Sequence, residues 1–111
     1  PDRVANDNIP RFDPISTGEL TFEKMNADLY PCFEIALNTA KRGGTWPAAL
    51  CGADEMAVEM FLSGRIGFTE IASVIQEVLV GHKPKMTPTA DELIQAAAWT
   101  KERVVELVEA Q

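Results

Sequence analysis

The stretch ALCGADEMAVEMFL (residues 49–62) sets a thiol, Cys51, within nine residues of three carboxylates, Asp54, Glu55 and Glu59. Thiolate chemistry needs a neighbouring base or a helix N-terminus to lower the thiol's pKa. Metal chemistry needs more ligands than two glutamates one turn apart, supplied in patterns such as HExxH or ExxH. The sequence offers neither. The only histidine, His82, is remote in sequence, and residue 51 falls just beyond the first turn of the helix predicted around it. Two like charges at i and i+4 cost an isolated helix only a few tenths of a kcal/mol, which a wet surface tolerates. The cluster therefore reads as the solvated or docking side of a helix and not as a reaction centre.

Other candidate groups resolve in the same direction. Gly43-Gly44-Thr45 precedes a helix start and would suit an anion, yet no GxGxxG or Walker lysine accompanies it. A helix stop accounts for both glycines. His82 follows Gly81 at a helix end, where it is expected to cap carbonyls, and Trp46 and Trp99 are expected to fill core or groove. Cys32 and Cys51 form no CxxC pair, and a zinc site would need about four spaced ligands. Both are expected to be small buried hydrophobes in a reducing cytoplasm, with a disulfide as the alternative. No catalytic, cofactor-binding or metal-binding residue is assigned.

Helices must position these groups. Pro31 suits a first helical turn, and PCFEIALNTAKR (31–42) ends at Gly43-Gly44 with Lys41 and Arg42 in its last turn. Thr45 with Pro47 opens a second helix that runs to Ser63-Gly64. At about 100° per residue its apolar face is Leu50, Ala53, Ala57 and Phe61. Glu55 and Glu59 share another side, with Asp54 near Cys51 on the border. Thr69 is expected to cap a third helix, whose Ile71, Val74, Ile75, Val78 and Leu79 form one stripe before Gly81. Thr89 with Glu92 makes a capping box for a fourth helix, facing inward through Leu93, Ala97, Val104 and Val108. Residues 20–22, LTF, read as an isolated strand or a plug for a groove. The pattern predicts an all-α fold, a small four-helix bundle over residues 20–111, preceded by an extended linker over residues 1–19 that contains three prolines. Such a linker suggests that something stands in front of it.

The 111 residues suffice for one domain, which buries roughly two-thirds of its unfolded surface. Ten basic against seventeen acidic residues give a net charge of −7, which opposes binding to phosphate backbones and anionic membranes. Nucleic acid and membrane are set aside as partners. No apolar run approaches the roughly 18 residues of a spanning helix, and no signal-peptide pattern is present.

The landmarks LTFE, YPC, GGT, AL-x-x-A-[DN]-E and FL-x-G-[RK]-I-x-F-x-[DE]-I occur in order along residues 20–71, and TADELIQAAAWTKERV follows at 89–104. In this the chain closely resembles the C-terminal domain of the 1-deoxy-D-xylulose 5-phosphate reductoisomerase family. The resemblance implies a parent enzyme, a homodimer, that makes 2-C-methyl-D-erythritol 4-phosphate with NADPH and Mg or Mn in non-mevalonate isoprenoid biosynthesis. It also implies an N-terminal NADPH-binding domain, a central catalytic domain, and a location in a bacterial cytoplasm or a plastid. No family nucleotide, metal or substrate motif falls within this sequence, so the resemblance transfers no site residue. Many family members read ALNAANE where this chain reads ALCGADE, so Cys51, Gly52 and Asp54 replace two asparagines and an alanine. The expected role is a non-catalytic structural domain that braces the other domains of the same polypeptide. The alternative is a free-standing helical protein-interaction module.

Overall fold

The computed structural model of the chain describes residues 8–110. Among them are four long helices, α2 (Pro31–Arg42), α3 (Trp46–Leu62), α4 (Glu70–Val80) and α5 (Ala90–Glu109), and no strand. A single turn, α1 (Pro14–Thr17), and a 3₁₀ turn at Ala27–Leu29 precede them. The expected all-α bundle is present. Residues 1–7 of the expected linker lie outside the described residues. Residues 8–19 are exposed throughout, with α1 as their one helical turn, and residues 20–22 are exposed coil, neither strand nor plug. The radius of gyration is 18.2 Å, against roughly 13 Å for a compact domain of this length.

Local chemistry sets most helix ends. Pro31 stands at the start of α2, and Gly43 at φ 68° ends it, donating its N–H to the Thr39 carbonyl. At α5, Thr89 Oγ1 accepts the Glu92 N–H at 3.3 Å while Glu92 Oε2 accepts the Thr89 N–H at 2.9 Å, the complete reciprocal box. The start of α4 differs from expectation. Thr69 has helical dihedrals (φ −71°, ψ −16°), so its hydroxyl is turned away from the first free amides and makes no cap. The Glu70 carboxylate instead folds back to accept the Gly67 N–H at 2.6 Å.

The core forms where α3, α4 and α5 meet, with α3 and α5 in the most extensive contact. The α4 stripe is buried as its spacing predicts. On α3 the buried line is Ala49, Gly52, Ala53 and Ala57, while Leu50 and Phe61 pack at its edges. These small residues let α5 approach closely. A Cβ built on Gly52 would lie 2.2 Å from the Ala97 carbonyl oxygen and 2.5 Å from Thr100 Oγ1. Thr100 is fully buried, and its hydroxyl donates within its own helix to the Ala96 and Ala97 carbonyls. That arrangement leaves no buried side-chain polar atom unpaired at the contact.

Candidate functional site

The acidic stretch of α3 is split between two neighbours. Cys51, Asp54, Glu55 and Glu59 are all exposed. Glu55 Oε2 lies 2.8 Å from Lys101 Nζ of α5, so this carboxylate ties two helices together instead of facing only water. Asp54 faces the other way, toward Cys32 of α2. Burial, and then the Asp54 charge, push the Cys32 thiol above its ordinary value. The expectation of two buried cysteines is corrected: both are free thiols on exposed residues. Both line a cleft between α2 and α3 of about 350 Å3. Among the described residues, no three His, Cys, Asp or Glu side chains converge closely enough to hold a metal ion.

A second cluster assembles at the other end of α2 from residues that sequence spacing keeps apart. Arg42 lies 4.5 Å above the Trp46 ring. Trp46 meets His82 edge-on at 5.1 Å, and His82 in turn lies 5.9 Å from Trp99. This ladder crosses from α2 through α3 and the end of α4 to α5. His82 Nε2 is 2.9 Å from Thr45 Oγ1, and the same oxygen accepts the Lys85 N–H at 3.1 Å. The Thr45 N–H donates back to the Lys85 carbonyl at 2.9 Å. The His82 ring thus reaches across to the α2–α3 turn, while its backbone N–H donates to the Leu79 carbonyl at the end of α4 at 3.1 Å. Thr45, 2% exposed, anchors the 82–89 loop instead of capping α3 with its side chain. Gly44 is explained by the same contact. Its φ is 58°, and a Cβ there would sit 2.3 Å from the Lys85 carbonyl oxygen. Helix termination alone, as read from the sequence, misses this.

Beside the ladder, Thr45, His82, Lys83, Lys85, Glu92, Gln95 and Trp99 line a cleft of about 510 Å3. Lys85 is paired with Glu92, whose carboxyl is held below its ordinary value first by that hydrogen bond and then by the Thr89 N–H. Burial among the rings lowers the His82 pKa below 6.5, favouring neutral imidazole in the fold. The unfolded chain then takes up this proton at higher pH than the folded one. The contribution of His82 is therefore complete above about pH 6.5 and shrinks as pH falls toward the depressed folded value. Acid protonation of Glu92 removes stability in a separate window, below its ordinary 4.5. The melting temperature is expected to fall as pH drops below about 6.5, and a His82→Gln chain is expected to lose that slope. Thermal melts followed by circular dichroism on both sides of that pH check both.

The third feature is a surface. Large apolar side chains of the N-terminal segment and α2 lack partners: Ile15 and Phe22 are each 90% exposed, and Leu29, Tyr30, Phe33 and Leu37 continue the series. These six exposed apolar side chains within residues 15–37 are a concentration of the kind that contact with another protein body would cover.

The class is thus an all-α bundle of four long helices with an apolar front carried by α2 and the segment before it. Residues 1–103 match the family described as DXP reductoisomerase C-terminal domain, and the chain belongs to that family. Among curated proteins it is 39% identical, over 105 residues, to the 1-deoxy-D-xylulose 5-phosphate reductoisomerase of Caldanaerobacter subterraneus subsp. tengcongensis; the match covers 95% of this chain and 28% of that protein. It is 37% identical to the reductoisomerase of Ruminiclostridium cellulolyticum, covering 97% of this chain and again 28% of the relative. The chain therefore spans little more than a quarter of the length of these relatives. Among solved structures, the 1-deoxy-D-xylulose 5-phosphate reductoisomerase from Zymomonas mobilis, in complex with NADPH, superimposes with a TM-score of 0.82 at 24% identity, over 97% of this chain and 28% of that one. At that identity the likeness establishes the shared fold. No helix among the described residues is long and apolar enough to cross a membrane.

Proposed function

We propose that this chain is the C-terminal structural domain of a 1-deoxy-D-xylulose 5-phosphate reductoisomerase, with residues 1–19 as its linker and 20–111 as its bundle. The full enzyme, a homodimer of the bacterial cytoplasm or plastid, makes 2-C-methyl-D-erythritol 4-phosphate with NADPH and a divalent cation, Mg or Mn, for isoprenoid synthesis. In it the bundle braces the catalytic and nucleotide-binding domains and contributes no reacting group. Family membership supports the assignment, and the exposed apolar front supports the bracing role. That no three His, Cys, Asp or Glu side chains converge among the described residues supports placing the divalent cation of the full enzyme outside the bundle.

Two measurements test this reading. The isolated chain, mixed with substrate, metal and NADPH, is expected to oxidise no nucleotide; turnover above the protein-free rate would overturn the non-catalytic role. Phe22→Glu tests the bracing. Because Phe22 is 90% exposed, the substitution is expected to leave the stability of the isolated chain within about 0.5 kcal/mol. In the full-length enzyme it is expected to weaken docking between domains by about 2 kcal/mol, the scale of one buried aromatic. Calorimetry of both forms reads the difference. An unchanged full-length melt would show that this front covers nothing.

A further inference from the structure

The bracing role makes no use of either thiol. Cys32 and Cys51 nevertheless come from different helices and line the same cleft of about 350 Å3, together with Ile35, Leu50, Asp54 and Ile75. Both thiols are free and open to solvent. The helix that carries Cys32 is also the most lightly held of the four long ones: only Thr39, near its far end, is buried. The N-terminal half of α2 can therefore swing toward α3, with the cleft as the space it would fill. Disulfide formation needs Cα atoms about 4.4–6.8 Å apart, which sets how far the two helices must close.

We propose that Cys32 and Cys51 are a dithiol that exchanges with small disulfides of the glutathione type and closes into an intramolecular disulfide across the α2–α3 cleft. Exchange proceeds in two displacements. The Cys51 thiolate attacks one sulfur of oxidised glutathione, forming a mixed disulfide and expelling one glutathione thiolate. Cys32 then loses its proton to solvent and attacks the Cys51 sulfur, expelling the second. The protein's two thiols are oxidised by two electrons, and one glutathione disulfide is reduced to two glutathiones. The order follows from the surroundings: partial burial and the Asp54 carboxylate disfavour the Cys32 thiolate, so Cys32 resolves and Cys51 attacks. Closure draws Phe33 inward with α2 and so alters the apolar front.

The test incubates the folded chain with oxidised glutathione at neutral pH and follows intact mass and thiol count. The expected product has lost two hydrogens, has no titratable thiol, and yields a peptide pair joined through Cys32 and Cys51. Cys32→Ser is expected to stop at a stable glutathione adduct on Cys51, whereas Cys51→Ser is expected to react more slowly than Cys32→Ser. Both positions are exposed, and circular dichroism of each variant confirms an intact fold. Accumulation of adducts on both thiols, a disulfide between two chains, or two surviving thiols after an exposed model thiol has reacted fully would each overturn the proposal. These outcomes are read on the isolated chain and are independent of whether the bundle braces an enzyme.

Discussion

Gly52→Val is expected to be the most damaging single substitution in the bundle, lowering stability by about 3 kcal/mol or more. Two effects oppose each other at this position. Replacing glycine inside a helix favours the helical state by up to about 1 kcal/mol for alanine and less for a β-branched residue. Against this, the added Cβ would meet the Ala97 carbonyl oxygen at 2.2 Å. The obstacle is backbone, so no rotamer change relieves it, and α5 as a whole must move away from α3. Because α3 and α5 share the largest contact in the molecule, that movement loosens Ala49, Ala53 and Val104 together, each of them fully buried. For a domain of this size 1 kcal/mol corresponds to about 4–8 °C, so a fall of more than about 10 °C in the melting temperature is expected. A melt within a few degrees of the parent would show that α5 can retreat at little cost.

Ile75→Ala is expected to cost about 3 kcal/mol, within the 2–5 kcal/mol range of large-to-small core changes. Ile75 is 1% exposed and among the largest fully enclosed side chains. It packs where α4 meets α3, and its outer edge reaches the α2–α3 cleft. The loosely held α2 can settle partly into the space, which keeps the expected cost below the upper end of the range. Urea unfolding is expected to show a lower midpoint with an unchanged slope, since the area exposed on unfolding barely changes. An effect below about 1 kcal/mol would mean that α2 fills the void completely.

What the sequence revealed was local. Pro31, Gly43 and the Thr89–Glu92 box act on residues within a turn or so, and the helix ends they imply are where the structure has them. The α4 stripe was equally legible, because burial of a regular helix face is written in its 3.6-residue period. What was hidden depends on contacts across the chain. Thr45 meets His82 and Lys85 at separations of 37 and 40 residues, and nothing in GGTW distinguishes a loop anchor from an N-cap. Gly44 and Gly52 are required by backbones that arrive from elsewhere in the chain, whereas a glycine in sequence shows only that its neighbours are permissive. The cysteines were misplaced for a related reason. Cysteine is commonly buried, yet both residues line an open cleft between α2 and α3, a tertiary feature that no local pattern encodes. At α4, Thr69 matched the usual cap pattern, but Glu70 took the role because Gly67 brings an amide within its reach.

The Arg42–Trp46–His82–Trp99 ladder gathers both tryptophans of the chain at one corner of the molecule. Intrinsic emission therefore surveys only that corner, whereas the amide signal averages over every turn of every helix. If the two optical melts coincide, the bundle dissolves as one unit. If emission shifts first, this corner frays before the α3–α5 seam parts.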